Sequence, residues 1–167
     1  MIRTTSRRPR VPSRVLIGLI SDTHGLIRPE ALEALRGSDL IIHCGDVGDP
    51  VVLEALGNLA PVRAIRGNND RGAWTNRLPP QDLVEVGGHV IRVLHNLAEL
   101  DPDTEAVGLT AIVFGHSHKP LIERRGGVLF INPGSAGPRR FKLPVTVATL
   151  ALRSGRRCKA KIVPLSV

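Results

Sequence analysis

Residues 15–24 read Val-Leu-Ile-Gly-Leu-Ile-Ser-Asp-Thr-His, an apolar run that ends in two polar side chains one residue apart. The apolar part is short and has no charge, as in a strand that is buried on both faces. A second run of this kind, Leu40-Ile-Ile-His-Cys44, is followed closely by Asp46. Between the two runs, Pro29 begins a segment with helical spacing that stops at Gly37. Strand, helix, strand, with polar residues after each strand, is the pattern of an α/β domain.

The pattern continues along the chain and then changes. Asp49-Pro50 predicts the start of a second helix, and Val62-Arg-Ala-Ile65 predicts a third strand. Farther on, Gly87-Gly88 separates two alternating segments, which predicts a hairpin and an antiparallel second half. Mixed β-topology is therefore expected, with further strands at residues 84–86, 90–94, 111–114, 121–123, 128–131, 145–150 and 160–163.

Length and composition fit one domain. A chain of 167 residues with 42% hydrophobic residues can bury a core of its own. Its apolar runs are far shorter than the roughly 18–20 residues of a membrane-spanning helix, so no membrane association is expected. Cys44 and Cys158 are far apart in sequence, which argues against a disulfide scaffold and predicts a reducing, cytoplasmic location.

The net charge of +8 is unevenly distributed. Residues 1–14 contain five arginines and no acidic residue, so the rest of the chain carries only +3. We interpret residues 1–14 as a disordered basic leader and residues 15–167 as a single domain. Aromatic residues make up only 2% of the chain, too few for a stacking platform, so nucleic acid is not the expected partner. An adaptor that binds nucleic acid through residues 1–14 is one alternative.

Seven polar side chains follow predicted strands or close their last turn. In extended chain, residues i and i+2 project to the same side, so Asp22 can act with His24, and His116 with His118. Seven nitrogen and oxygen donors are more than one zinc-like ion uses, but they suit two ions that share a carboxylate. The candidate ligands are Asp22, His24, Asp46, Asn68, His95, His116 and His118.

The order of these motifs resembles the calcineurin-like metallophosphoesterase superfamily, and the small size resembles its compact, YfcE-type phosphodiesterases. The match covers residues 15 to about 150 and includes a loop, Asn132-Pro-Gly-Ser135, similar to one in that branch. Each motif is weak alone, but five in this order are specific. They are Asp22-Thr-His24, Gly45-Asp46, Gly67-Asn68-Asn69-Asp70, His95 and Gly115-His116-Ser117-His118.

The resemblance implies a four-layer α/β sandwich of two mixed β-sheets flanked by helices, with the metal site at the C-terminal ends of strands. It also implies two divalent ions, with Mn²⁺ as the first expectation and Ni, Fe, Co or Zn compatible. One ion would be held by Asp22, His24 and His118, and the other by Asn68, His95 and His116, with Asp46 bridging the two.

The implied activity is hydrolysis of a small phosphodiester by a hydroxide that bridges the two ions. The chain departs from many relatives at Asn69, where a histidine is thought to protonate the leaving group. Asparagine cannot donate that proton, so we expect a preference for activated or aryl diesters and weak action on alkyl monoesters. A second departure, Asn96 after His95, affects the expected loop shape more than the ligand.

Several alternatives stay open. A binding scaffold like the retromer subunit of the same superfamily is the main one, although that protein lacks the full ligand set. His43 is either a plain core residue or a support for a ligand, and Asp70 either supports a ligand or caps a turn. The basic residues Arg139, Arg140 and Lys142 are taken as solvated surface rather than as a phosphate site. The sequence does not choose an oligomeric state, and a homo-oligomer is compatible with it.

Overall fold

The structure is a computed structural model that describes residues 12–101 and 106–167. Most of the predicted leader, residues 1–11, therefore lies outside the described residues, while Arg14 already belongs to the first strand. In the part that is described, no helix is both long and apolar enough to span a membrane. The strands are β1 (Arg14–Ile20), β2 (Leu40–His43), β3 (Val62–Ala64), β4 (Gln81–Val86), β5 (His89–Leu94), β6 (Ala111–Val113), β7 (Leu121–Arg125), β8 (Val128–Asn132), β9 (Thr146–Arg153) and β10 (Lys159–Pro164).

Two helices connect the first three strands. Helix α1 covers Pro29–Leu35 and helix α2 covers Pro50–Gly57, each with proline in its first turn, as predicted. The Asp49 carboxylate accepts a hydrogen bond from the backbone N–H of Val51 and caps α2. Two 3₁₀ segments, Ala73–Arg77 and Leu97–Glu99, were not predicted.

The strands form two mixed five-stranded sheets, which confirms the α/β class with mixed β-topology. The order is β10-β9-β1-β2-β3 in the first sheet and β4-β5-β6-β8-β7 in the second. Strands β1, β2 and β3 are parallel, and so are β5, β6 and β8. The expected antiparallel second half is thus wrong for β5, β6 and β8: the chain crosses over after β5 and after β6 instead of turning back beside them. The β4–β5 hairpin is antiparallel as predicted.

The sheets pack face to face, and α1 and α2 cover the outer face of the first sheet. The core between the sheets includes Ile17 and Leu150 of the first sheet and Ile91 and Ile131 of the second. Over the outer face of the second sheet, the described residues supply loop segments and the 3₁₀ segment Leu97–Glu99. This layering fixes the edge at which the parallel strands of both sheets end.

Glycine at position 18 lets α1 approach the first sheet. A Cβ atom there would lie 2.8 Å from Leu35 Cδ2 and 2.8 Å from Ser38 Oγ, closer than carbon packing allows. The side chain of Leu35 instead packs directly over β1. Glycine weakens a strand interior, so its presence in a buried strand is explained by this close contact.

Candidate metal centre

The seven predicted ligands all lie in loops that follow parallel strands. Asp22 and His24 follow β1, Asp46 follows β2, and Asn68 follows β3. In the second sheet His95 follows β5 directly, and His116 and His118 follow β6. Because the carboxyl ends of parallel strands meet at one edge of a sheet, the two sheets bring these loops together.

The loops turn sharply at the candidate ligands themselves. Five of them have left-handed backbone, with φ of 54° at Asp22, 47° at His24, 53° at Asp46, 71° at His116 and 60° at His118. Residues with side chains rarely adopt this conformation, and such strained positions concentrate at functional sites. The backbone therefore bends where each side chain must point inward.

Glycines next to the ligands let these turns come into contact. A Cβ atom at Gly67 would collide with the backbone nitrogen and Oδ1 of Asp46. A Cβ atom at Gly115 would collide with Ser21 Oγ and lie 2.7 Å from Asp22 Oδ2. The glycines of these two motifs are thus required by close approach of the loops.

Asp22, His24 and His118 form one group of converging atoms. The Nε2 atom of His118 lies 3.3 Å from Asp22 Oδ1 and 3.4 Å from His24 Nε2. Asp22 and His118 are buried, while His24 is partly exposed. The ligand atoms of all three lie within 4.8 Å of one another, a spacing that suits coordination of a single ion.

Asp46 and His95 lie beside this group. His95 Nε2 is 3.3 Å from Asp46 Oδ2 and 3.9 Å from Asp22 Oδ1. Asp46 Oδ2 is also 3.9 Å from His24 Nε2, so its carboxylate reaches both sides of the cluster. Asp22, Asp46 and His95 form a second set of atoms within 4.8 Å of one another.

Asn68 and His116 complete the cluster on its more exposed side. The Asn68 amide oxygen lies 3.1 Å from His116 Nδ1. The His116 ring packs edge-on against His95, with 5.2 Å between ring centres. The structure thus brings all seven predicted side chains into one connected cluster.

The donor set fits divalent cations. Asp22 Oδ1 and His95 Nε2 are buried and make no hydrogen bond of good geometry among the described residues, although polar atoms lie near them. On the other side of the His95 ring, Nδ1 lies 2.7 Å from the Cys44 carbonyl oxygen and donates its proton there. This contact leaves the Nε2 lone pair of neutral His95 directed at the two carboxylates, as in metal-binding histidines.

Both buried carboxylates are held in the ionised form. Burial raises the pKa of Asp46, but the close contact with His95 and the hydrogen bond from the backbone N–H of Asn69 outweigh burial and hold that pKa well below its usual range. Burial likewise raises the pKa of Asp22, and the contact with His118 together with the hydrogen bond from Ser21 reverses the shift. Two anionic ligands are therefore present at neutral pH.

The carboxylates raise the pKa of both His95 and His24, but the net pKa shifts of the two histidines have opposite signs. Burial lowers the pKa of His95, but its contacts with Asp46 and the Cys44 carbonyl raise it above its usual value. Burial also lowers the pKa of His24; Asp46 opposes this change and the Arg140 guanidinium adds to it, leaving the pKa low. The same negative field that raises the pKa of His95 also attracts a metal cation.

Asn69 holds Asp46 from both sides. Its backbone N–H donates to Asp46 Oδ1 and its side-chain amide donates to Asp46 Oδ2, each at 2.8 Å. A hydrogen-bonded carboxylate keeps a fixed orientation. The residue that departs from the usual histidine therefore contacts the central carboxylate directly.

His43 supports two of the loops, which answers a question left open by the sequence. The ring is fully buried, and burial lowers its pKa to about 4, so it is neutral. Its Nδ1 accepts a hydrogen bond from the Gly45 N–H, so Nε2 carries the proton and donates to Thr23 Oγ1 at 2.9 Å. Thr23 Oγ1 then donates to the Val47 carbonyl. His43 thus links the loop of Asp22 to that of Asp46.

Other supporting residues were missed or left undecided by sequence reasoning. The Asp70 carboxylate accepts 2.8 Å hydrogen bonds from the N–H groups of Gly48 and Gly67, which joins the loops after β2 and β3. Ser21 Oγ donates to Asp22 Oδ2 at 2.7 Å. Asn132 donates to the Gly115 carbonyl at 3.0 Å, so the Asn-Pro-Gly-Ser loop supports the histidine loop. The strand-end position of these polar residues was the available signal.

Comparison with known proteins gives the family. Residues 15–155 match the model of the calcineurin-like phosphoesterase superfamily domain. The chain belongs to this superfamily, and the resemblance seen in its motifs is confirmed. A probable metallophosphoesterase of Methanocaldococcus jannaschii is 34% identical over 164 residues, covering 90% of this chain and 82% of the relative.

Solved structures share the fold. The structure of an archaeal phosphodiesterase superimposes with a TM-score of 0.75 and 24% identity, covering 90% of this chain and all of the other. Vacuolar protein sorting 29 from Cryptosporidium parvum has a TM-score of 0.73 and 19% identity, covering 93% of this chain and all of the other. Family membership makes the chain a phosphoesterase-type hydrolase, and its strand-end cluster supplies candidate metal ligands.

Proposed function

We propose that this protein hydrolyses small phosphodiesters with two divalent metal ions. The observation that carries the proposal is the convergence of seven nitrogen and oxygen donors on one edge of both sheets. Asp22 Oδ1 and His95 Nε2, buried and without good hydrogen bonds in the described part of the chain, support it further. Mn²⁺ is the first ion proposed, because the donors are imidazole, carboxylate and amide without sulfur, and Ni, Fe, Co and Zn also suit such ligands.

The contacts support a division of the ligands into two groups. Asp22, His24 and His118 approach one another within 3.3–3.4 Å contacts and would hold one ion. Asn68, His95 and His116 would hold the other. Asp46 is assigned as the shared ligand because its Oδ2 lies 3.9 Å from His24 and 3.3 Å from His95.

Two cations held by these residues would supply a water ionised near neutral pH as the nucleophile and would offset charge on the phosphoryl oxygens. The protein's own residues position this reaction. Asp46 is oriented by Asn69, and His95 is oriented by the Cys44 carbonyl. The chemistry calls for no serine or cysteine nucleophile.

Asn69 supports a preference among substrates. It has no proton to give a poor leaving group, and its amide donates to Asp46. Leaving groups that depart without protonation, such as nitrophenolate, should therefore react well, while alkyl monoesters react weakly. General acid catalysis typically raises the rate by a factor of about 10²–10⁴, so the preference for good over poor leaving groups should be of this size.

A non-catalytic scaffold is the second candidate, favoured by the fold match to vacuolar protein sorting 29. The full set of seven donors argues for the enzyme, because a scaffold has no need of paired buried carboxylates facing four histidines. A reducing cytoplasm is proposed as the location, since Cys44 and Cys158 are unpaired. Nucleic acid and membranes are not proposed as partners, and a homo-oligomer stays open.

The test is hydrolysis of bis(p-nitrophenyl) phosphate and of p-nitrophenyl phosphate after EDTA treatment and after addition of Mn²⁺, Ni²⁺ or Zn²⁺. We expect diester hydrolysis that EDTA abolishes and Mn²⁺ restores, and its loss in His116→Ala. His89→Ala is the matched control, because His89 lies at the start of β5, away from the cluster, against Thr110 and Cys158. Activity that survives both chelation and His116→Ala would overturn the proposal; bound metal without any hydrolysis would favour the scaffold.

A further inference from the structure

One residue outside the cluster shares its unusual backbone. Among the described residues, six that are not glycine have positive φ; five belong to the metal cluster and the sixth is Phe141, at 52°. A bulky side chain in the left-handed region is an outlier that its surroundings must impose. Such positions concentrate at functional sites, which directs attention to what Phe141 does.

The ring of Phe141 faces solvent. It is 93% exposed, whereas Phe114 and Phe130 are buried and Trp74 packs against the helices. These four are the only aromatic residues of the chain apart from histidine. An aromatic side chain held fully exposed buries nothing in the fold, so its apolar face is free to contact another molecule.

The exposed ring lines a depression that shares a loop with the proposed active site. Phe141, Lys142 and Leu143 line an open depression of about 800 Å³ together with Lys119 and Ser117. Ser117 lies between His116 and His118, so the depression and the metal cluster share a loop. A molecule with its phosphate at the cluster can therefore extend over Phe141.

The surroundings of the ring are positively charged. Lys119, Arg140 and Lys142 form no ion pair with a carboxylate in residues 12–101 and 106–167. The Arg140 guanidinium also lies within electrostatic range of His24. Arg139, in contrast, donates to the Val167 carbonyl at 2.9 Å. The first three charges complement an anionic ligand that also offers an apolar face.

Building on the proposed function, we propose that Phe141 stacks against a nucleobase of the substrate, so that the substrate class is nucleoside phosphodiesters. A base has an aromatic face for the ring, and the phosphate supplies the negative charge that the basic side chains attract. Because a single exposed ring stacks one base, a small nucleotide suits the site better than a long strand.

The test compares two esters with the same leaving group and the same charge: the p-nitrophenyl ester of thymidine 5′-monophosphate and ethyl p-nitrophenyl phosphate. With Mn²⁺, we expect kcat/KM to be about tenfold higher for the nucleoside ester, equivalent to about 1.4 kcal/mol. Phe141→Ala and Phe141→Leu should bring this ratio close to one, whereas Phe141→Trp should keep it. Leu83→Ala, another exposed apolar residue but on β4, is the matched control and should leave the ratio unchanged.

The outcomes separate this inference from the proposed function. Equal kcat/KM for the two esters, or a preference that survives Phe141→Ala, overturns the stacking role and leaves phosphodiester hydrolysis standing. Absence of metal-dependent hydrolysis of both esters overturns the proposed function and the inference with it. Light scattering gives a further check on the role of Phe141. If the protein self-associates, and Phe141→Ala abolishes this association but leaves the kcat/KM ratio of the two esters unchanged, the ring mediates a contact between copies of the chain and the inference is overturned.

Discussion

Replacing Asp70 by alanine tests whether a buried carboxylate holds the metal loops in place. Asp70 is only 4% exposed, and its two oxygens accept 2.8 Å hydrogen bonds from the N–H groups of Gly48 and Gly67. Alanine would leave both donors without an acceptor, and each buried unsatisfied group costs about 1–3 kcal/mol. The Gly48 end is partly buried, so water can offset some of this loss; we expect destabilisation of about 2–4 kcal/mol.

The assay is urea unfolding of the EDTA-treated protein, followed by fluorescence of Trp74, the single tryptophan. In thermal unfolding, a decrease of about 3 kcal/mol in the free energy of unfolding corresponds to a fall in Tm of about 6–12 °C for a chain of this size. Asp82→Ala is the matched control: Asp82 pairs with half-exposed Arg63 at 2.6 Å, and such surface pairs contribute at most about 1 kcal/mol. If Asp70→Ala were no more destabilising than Asp82→Ala, the supporting role of Asp70 would be refuted.

Three further predictions concern residues around the cluster. Folded His43 stays neutral down to pH about 4, whereas a histidine in the unfolded chain takes up a proton near pH 6.5, so the unfolded state binds more protons in this window and the free energy of unfolding falls as the pH is lowered. The loss is about 3 kcal/mol between pH 7 and pH 4, measured as the difference between wild type and His43→Gln in urea unfolding at several pH values. Asn69→His should raise kcat/KM for alkyl diesters by up to about 10²-fold and kcat/KM for nitrophenyl diesters much less, because only the alkyl leaving group needs a proton. An equal change for both substrates would contradict the view that the wild-type site lacks a proton donor. Gly115→Ala should abolish Mn²⁺-dependent diesterase activity, because its Cβ collides with Ser21 and crowds Asp22; full activity would show that the loops tolerate separation.

Much of the candidate site could be predicted because its sequence motifs are local. Two pairs of polar residues, each separated by one residue, follow an apolar run, and this spacing indicates a shared site: Asp22 with His24, and His116 with His118. Parallel strands bring their carboxyl ends to one edge of a sheet. The proline-initiated helices and the Gly87-Gly88 hairpin were predictable for the same reason, since each depends on a few neighbouring residues. Family assignment followed from the order of the motifs.

What could not be predicted depends on contacts between distant segments. Strands β6 and β8 are short runs of buried residues that do not by themselves indicate a pairing direction, and only the crossover path makes them parallel. The series of hydrogen bonds from His43 through Thr23 to the Val47 carbonyl requires that two loops lie side by side, and the spacing of residues in the sequence does not determine this. Phe141 lies in a basic segment that looks like ordinary surface, and its left-handed backbone is visible only in three dimensions.

Counting bound ions tests the central claim most directly. Equilibrium dialysis of the EDTA-stripped protein against Mn²⁺, with metal measured by mass spectrometry, should give two ions per chain, and Asp46→Ala should lower that number, because Asp46 contacts both groups of ligands. His89→Ala should still bind two. A wild-type protein that binds no ion, or an Asp46→Ala variant that still binds two with unchanged affinity, would contradict the dinuclear site.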